Sequence, residues 1–377
     1  MKLLGKTSFY FSSPRRAFLP RSPGLLLRML SAIVLFALLG QANVWLDATN
    51  NIVLATGYRL LLILTPLTLL LFGPFALRVT VFAALAGIAL LAVPAGPGLQ
   101  MVGVILFGYG VAVLGSIVKK DAATSPAGAA NNKIMLNVGS LCAGVVLLYP
   151  HWQPLHFYLL LGLLLLLCLP AAWRFTPSPA LAPAAALTMP AGKNTLWVLA
   201  GLMNGIKLFA VFSVLPQAIL AHHSTLPAWY GGMIILNSAV VALLQLPIMK
   251  LIARSGNKAL WVSLLLILSG LVILAMPDVF RVYTFAGALL WLTLLSIAEC
   301  GLSYLDYCAA QDNALLVKEI SVSAGAGLTV CVMRYLPAPY NAELLSAIAI
   351  VALLTWLWLY QRRHKERFNA LNNLYEK

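Results

Sequence analysis

The sequence predicts an all-α polytopic membrane protein with twelve transmembrane helices in two halves of six. Three observations support this fold class. Of the 377 residues, 62% are hydrophobic and only 9% are charged, whereas an ordinary globular domain carries about 25% charged residues. Twelve apolar windows are each long enough to cross a hydrocarbon core about 30 Å thick. A segment rich in proline and alanine separates the first six windows from the last six.

The elements follow one another in a regular order. Residues 1–25 are predicted to form a basic cytoplasmic N-terminus. The N-terminal six-helix bundle covers 26–173, with spans expected at 26–46, 52–73, 78–95, 98–118, 132–149 and 154–173. The cytoplasmic linker at 174–194 carries prolines that prevent a regular helix. The C-terminal bundle covers 195–361, with spans expected at 195–220, 228–249, 259–276, 282–304, 318–336 and 342–361. A basic cytoplasmic tail follows at 362–377.

The positions of the basic residues predict the orientation. With the N-terminus inside, the cytoplasmic segments hold all Lys and Arg except Arg59, Lys207, Arg281 and Arg334. The positive-inside rule therefore places both termini in the cytoplasm and the protein in the cell inner (cytoplasmic) membrane. The net charge of +15 is explained by this pattern, so no nucleic-acid partner is expected.

Cysteine spacing and loop length exclude several other classes of function. The five cysteines form no CxxC pair, so neither a disulfide framework nor a zinc site is indicated, and no metal or cofactor is expected. The predicted loops are too short to hold a folded soluble domain. Chemistry or recognition must therefore occur within the bundle or at its mouths, in a chain that we expect to be monomeric in the lipid bilayer.

Two predicted cytoplasmic loops carry a repeated pattern of glycine and basic residues. The first has Gly73 and Arg78, with leucine between them at Leu77, and the second has Arg254, Gly256 and Lys258. Together with the two halves of six spans, this pattern resembles the loop motif G-x-x-x-D-R-x-G-R-R of the major facilitator superfamily (MFS) of secondary transporters. Both copies lack the acidic residue of that motif. The resemblance covers almost the whole chain and implies alternating access around a central cavity lined by spans 1, 4, 7 and 10.

Lys207 is the first candidate site residue. It lies roughly 18 Å into a nearly apolar span at 1.5 Å per residue, where a charge is expensive and normally faces a partner or a wet cavity. Its functional interpretation is a site for a substrate anion, and the alternative is a packed lysine that reaches a carbonyl or a buried acid. The other substrate-binding candidates are Asn204, Phe209, Trp291 and Asn43.

Four charged residues are candidates for coupling or gating. Glu299 is the best acidic partner or proton carrier, although counting from Arg281 places it about 27 Å along its helix, near the cytoplasmic end. Arg59 pairs with Asp47 in an outer gate, or else reaches the membrane interface, and Arg334 is treated in the same way. Asp306 is expected to be a solvated loop charge.

These residues favour a secondary transporter that moves a small, amphipathic or anionic organic solute, with protons as the candidate coupling ion, and export is slightly favoured over import. A lipid or lipid-linked flippase is the first alternative. An intramembrane transferase is the second, and the sequence contains no convergent set of catalytic residues that would support it, so no catalytic residue is assigned. A partner protein that does not transport is the third.

Overall fold

The computed structural model describes residues 22–46, 49–50, 53–93, 96–149, 151–176, 194–224, 227, 229–335 and 340–375. Every regular element within these residues is helical. Asp47 and most of the predicted linker lie outside the described residues.

Prolines begin most of the long helices of the first half. The first residues of four helices are Pro23, Pro97, Pro126 and Pro154. At this position a backbone N–H would have no acceptor within the helix, so proline loses no hydrogen bond, and its fixed φ is already helical. Ser125 Oγ also accepts a hydrogen bond from Gly128 N at 3.0 Å and caps one of these helices. The elements are α1 Pro23–Trp45, α2 Tyr58–Leu60, α3 Thr65–Phe72, α4 Ala76–Ala92, α5 Pro97–Ala122, α6 Pro126–Leu147 and α7 Pro154–Arg174.

The described residues of the second half, after the linker, form seven further helices. Thr284 caps one of them by accepting a hydrogen bond from Gly287 N at 3.1 Å. The elements are α8 Asn194–Leu220, α9 Trp229–Arg254, α10 Ala259–Leu274, α11 Phe285–Glu299, α12 Leu302–Gln311, α13 Leu315–Tyr335 and α14 Asn341–Tyr375. Short connections make successive long helices antiparallel. We call the end of the bundle where α7 ends and α8 begins the linker end, and the opposite end the far end.

Three predicted spans differ from the observed helices. The second span is interrupted by a π turn at Val53–Gly57 and a 3-10 turn at Leu61–Leu64. The 3-10 turn directly precedes Pro66, which lacks an N–H and whose ring disfavours a regular preceding turn. The tenth span is divided between α11 and α12. The last helix continues past the predicted boundary at 361 to Tyr375.

The two loops with the glycine and basic pattern have the same local structure. Gly73 and Gly256 have φ values of +48° and +53°, a region that side chains disfavour. Each of them begins a 3-10 turn, at Gly73–Phe75 and Gly256–Lys258. In the first loop the Arg78 guanidinium lies 4.8 Å from the centre of the Phe75 ring. The shared geometry is the clearest structural sign of an internal repeat.

Apolar packing forms one core in each half and a third core between them. The core between the halves joins α6 to α9 through buried residues such as Ile134, Met135, Leu246 and Met249. Within the second half, α8 packs most closely against α13, because Gly205 and Gly325 face each other. A Cβ added to Gly205 would lie 2.9 Å from the Gly325 Cα, so the two backbones are in direct contact.

Nine segments of the described chain are long and apolar enough to cross a membrane. One of them, Tyr58–Ala92, has 35 residues and includes the turn at Gly73. Large apolar side chains on the outside of the bundle are more than half exposed, as expected where lipid covers them. Examples are Ile63, Leu71, Leu148, Leu159, Leu265 and Val351.

Candidate functional site

Lys207 lies at the middle of α8, thirteen residues from either end. At 1.5 Å per residue this is about 20 Å from each end of the helix. The side chain is only 2% exposed, and its Nζ has no hydrogen-bond partner among the described residues. Asn204, one helical turn earlier, is also buried, and its Oδ1 also lacks a partner there. The side chain of Lys207 is therefore buried at the middle of a long apolar helix.

The glycine face of α8 determines where Lys207 points. Gly201 and Gly205 lie against α13, and Lys207 is rotated by about 200° from Gly205 at 100° per residue. It therefore points towards α10 and α11. A Cβ on Gly270 of α10 would lie 3.3 Å from Lys207 Nζ and 2.6 Å from the Cβ of Ala298. The ammonium group thus lies beside the end of α11.

Glu299 lies nearer to Lys207 than the sequence indicates. The helix begins at Phe285, not at Arg281, because residues before it form turns, so Glu299 is about 21 Å along it. The chain then continues towards the linker end through α12, which places Glu299 near mid-bundle. Glu299 is close enough to interact electrostatically with Lys207. Counting from Arg281 therefore overestimates the distance of Glu299 from the start of its helix.

Glu299 forms an ion pair between the two halves. Its Oε1 contacts Lys133 Nζ on α6, and the two side chains are 12% and 13% exposed. Lys207 therefore lies near a carboxylate whose direct partner comes from the other half.

A second group of charges joins the halves nearer to the linker end. We call Lys119, Asp306, Lys318 and Glu319 the four-charge cluster. Lys119 on α5 lies 2.8 Å from Asp306 Oδ2 and 2.7 Å from Glu319 Oε1. Lys318 lies 2.5 Å from Asp306 Oδ1 and 3.5 Å from Glu319 Oε1. Two cations and two carboxylates thus form a closed ring of contacts, which is how buried charges become tolerable.

The structure corrects the expectation for Asp306. Its residue is 7% exposed, and it lies on α12 rather than in a loop. The sequence indicated a loop because the tenth span was expected to end at 304. The helical segment instead restarts at Leu302 and carries Asp306 into the interface between the halves.

A cavity of about 70 Å³ lies beside this cluster, mostly within the first half, with Glu319 of the second half on its wall. Its polar wall contains Arg28 of α1, Arg59 of the second span, Lys119 and Glu319. Its apolar wall includes Leu35, Phe36, Leu62 and Val111. Pockets for organic ligands usually measure about 300–1,000 Å³, so this cavity is small by comparison.

A smaller cavity of about 30 Å³ is lined by Lys120, Asn313 and Leu315 at the linker end. Lys119 and Glu319 line both cavities, so their ion pair lies where the two cavities are adjacent.

Arg59 faces the interior of the bundle. Its Nε donates a hydrogen bond to Tyr58 Oη at 2.8 Å, and its guanidinium lies 5.5 Å from the centre of the Phe209 ring on α8. This contact joins the two halves near the level of Lys207. Its predicted partner, Asp47, lies outside the described residues.

The other predicted site residues have varied positions. Trp291 is fully buried, and its indole N–H donates to the Ile273 carbonyl at 2.8 Å, so it packs α11 against α10. The side chains of Asn43 and Arg334 lie outside the described residues. Arg254 ends α9 at the linker end, beside the loop that contains Gly256 and Lys258.

Sequence reasoning missed Arg28 and the four-charge cluster. It assigned Arg28, Lys119 and Lys318 to the positive-inside pattern, which explains a basic residue without any partner. One available signal was the scarcity of acids. Of the ten Asp and Glu residues in the chain, three are Glu299, Asp306 and Glu319, which lie in or beside apolar spans and require cationic partners.

Comparisons with known proteins identify the fold. No protein-family model and no curated protein sequence matches the chain. Solved structures do match: the E. coli fucose:proton symporter FucP has a TM-score of 0.67 at 12% identity, covering 89% of this chain and 97% of the symporter. The human organic anion transporter MFSD10 has a TM-score of 0.63 at 16% identity, with coverages of 92% and 100%.

A peptide transporter, POT, has a TM-score of 0.60 at 14% identity, covering 94% of this chain and 96% of that protein. The three matches extend over nearly the whole of each chain. Together with the apolar helices, they show that this chain is a multi-pass membrane protein with an MFS-like fold.

Proposed function

We propose that this protein is a secondary transporter that moves a small amphipathic or anionic organic solute by alternating access between two six-helix halves. The observation that carries this proposal is the ion pair between Lys119 of the first half and Glu319 of the second, beside a cavity that both residues line. The similar structures include transporters for a sugar, organic anions and peptides. Export is the favoured direction.

The proposed topology has twelve crossings. The stretch Tyr58–Ala92 contributes two, separated at Gly73, because a single crossing needs only about 20 residues. The helices α6 and α13 add two more. Their polar residues, including Lys133 and Glu319, lower their hydropathy but face the bundle interior, where charges are tolerated. Both termini then lie on the linker side, which we assign to the cytoplasm.

The proposed coupling group consists of Lys133, Lys207 and Glu299. Glu299 is shared between a direct partner on the other half and a buried lysine on its own half. A proton or a solute anion that changes the balance of these three charges would alter the attraction between the halves. Protons are therefore the proposed coupling ion.

Alternating access can be tested without knowing the solute. In a cysteine-free background, single cysteines replace Asn313 at the linker end and Ser224 at the far end, and a membrane-impermeant maleimide reports their accessibility. Lys119→Gln removes the pair with Glu319, so we expect faster labelling at Asn313→Cys and slower labelling at Ser224→Cys. Labelling that changes at only one end would contradict alternating access.

Transport itself is tested with benzenesulfonate, an anion that crosses lipid slowly. Proteoliposomes with an imposed pH gradient should release it faster than protein-free liposomes. Lys207→Ala should abolish this flux without reducing membrane insertion, while Lys250→Ala near the end of α9 serves as the control. Unchanged flux in Lys207→Ala would contradict the assignment of Lys207 to the transport site.

A further inference from the structure

We infer that the cavity bounded by Arg28, Arg59 and Glu319 binds the carboxylate of an amphipathic organic anion, with Glu319 as an internal counterion that competes with it. This inference rests on the proposed function, because it names the substrate class of the same cavity. It assigns the recognition of the anion to the first half of the chain, whereas Lys207 belongs to the second.

Arg28 supplies the first guanidinium. It lies on the second turn of α1, and its Nε is buried without a hydrogen-bond partner among the described residues. The guanidinium lies over Gly115 of α5, where a Cβ would collide with Nη1. A buried donor without an acceptor is costly. An acceptor bound in the cavity would therefore be stabilised by Arg28.

Arg59 supplies the second guanidinium, and aromatic rings fix its position. It lies 5.4 Å from the centre of the Tyr58 ring and 5.5 Å from that of Phe209, distances at which a cation is attracted to the ring face. A guanidinium is a planar fork of N–H donors that matches the two oxygens of a carboxylate. Two such groups on one cavity wall favour this ligand over a neutral or cationic one.

The charges around the cavity are unbalanced. Its wall contains Arg28, Arg59 and Lys119, but Glu319 is the only acidic residue that the structure places on that wall. Glu319 also lies 3.5 Å from Lys318 and is within electrostatic reach of both arginines. Glu319 is thus within reach of four cations, of which Lys119 and Lys318 have a second carboxylate partner in Asp306. A further carboxylate beside the two arginines would lower the electrostatic energy of this group.

The remaining wall fits the rest of an amphipathic molecule. Leu35, Phe36 and Leu62 present apolar surface to the same cavity. The site therefore combines a paired cationic surface with an apolar surface. A molecule with one carboxylate and a compact apolar body matches both.

The test measures equilibrium binding of benzoate, which has one carboxylate and a small apolar ring, to the purified full chain in detergent. Benzylamine and benzyl alcohol are the cationic and neutral probes of similar size. We expect benzoate to bind saturably and more tightly than either. Arg28→Gln and Arg59→Gln should each weaken benzoate binding by about tenfold or more, because a hydrogen bond to a charged group contributes roughly 1.5–3 kcal/mol.

Glu319→Gln gives the opposite and more discriminating result. It removes the internal competitor, so benzoate affinity should rise several-fold. Arg174→Gln and Glu343→Gln, at exposed positions, are the matched controls and should leave binding unchanged. If Arg28→Gln does not fold, Gly115→Ala keeps the charge but displaces the guanidinium, and it should also weaken binding.

Three results would overturn the inference: no saturable benzoate binding, binding that is insensitive to both arginine substitutions, or weaker binding in Glu319→Gln. This binding measurement does not require transport. Benzoate binding without benzenesulfonate flux or alternating access would therefore contradict the proposed function and leave the site intact, whereas flux without benzoate binding would contradict only the site.

Discussion

The ion pair between Lys133 and Glu299 predicts an asymmetric response to substitution. The pair joins α6 to α11, and Lys207 is near enough to Glu299 to interact with it. Glu299→Gln leaves two buried cations, Lys133 and Lys207, without the carboxylate that they share. Lys133→Met leaves Glu299 with Lys207 still nearby. The glutamate substitution should therefore destabilise the protein more than the lysine substitution.

The expected magnitudes follow from the cost of an unpaired buried charge. Removing one partner of a buried pair typically costs about 3–5 kcal/mol, and Glu299→Gln should fall in this range. For Lys133→Met we expect a smaller loss, about half of that range, because Lys207 can partly replace the missing cation. The double variant should lose less than the sum of the two single losses.

Chemical denaturation in detergent micelles measures the free energy of unfolding of the wild-type protein, the two single variants and the double variant, which together form a double-mutant cycle. Lys207→Met, combined with Lys133→Met, supplies the decisive control. In the absence of Lys207 the loss from Lys133→Met should increase, because Glu299 then has neither cation. Equal losses for the two single variants, or a Lys133→Met loss that does not depend on Lys207, would refute the reasoning.

Three further substitutions test the packing and the turns through the same denaturation measurement. Gly205→Ala should lower the free energy of unfolding by about 1–3 kcal/mol or more, because the added Cβ collides with the Val322 carbonyl. The control, Gly327→Ala, places its Cβ in open space and should be neutral or stabilising. Equal losses of stability for the two variants would contradict direct backbone contact. Gly73→Ala should cost about 1–3 kcal/mol because φ is +48° and ψ is −120°, and a neutral result would contradict that turn. Ser125→Ala should cost about 1 kcal/mol through loss of the cap, whereas Ser125→Asp, which keeps an acceptor, should retain most of the stability.

The fold was predictable because it depends on averages over long windows. Twenty apolar residues predict a crossing regardless of which side chains they contain, and the prolines at 97, 126 and 154 mark helix starts by their backbone chemistry. The irregular turns between Val53 and Leu64 were not predictable in the same way. The turn at Leu61–Leu64 depends on the missing N–H of Pro66, which does not change the hydropathy of the window.

The candidate site was predicted only in part, because it consists of ion pairs between residues that are far apart in the sequence. Lys207 was identifiable from its depth alone. Lys119 and Lys133 lie near the ends of their helices, where the positive-inside rule explains a lysine equally well without a partner. Their function as partners of Glu319 and Glu299 depends on contacts between residues about 165 to 200 positions apart, and one sequence holds no record of such contacts.

The distribution of charge between the halves determines what opening at the linker end requires. Before residue 194 the chain contains only two acidic residues, Asp47 and Asp121, whereas the second half supplies Glu299, Asp306 and Glu319. The closed interface therefore pairs cations of the first half with carboxylates of the second. Separating the halves leaves the first-half cations without these carboxylates, whereas the second half keeps Lys318 beside Asp306 and Glu319. Water or a solute anion must therefore replace the lost carboxylates next to the first-half cations. An anion in the cavity should lower the cost of opening, and a cation should raise it, because a ligand shifts a conformational equilibrium only by its difference in affinity for the two states.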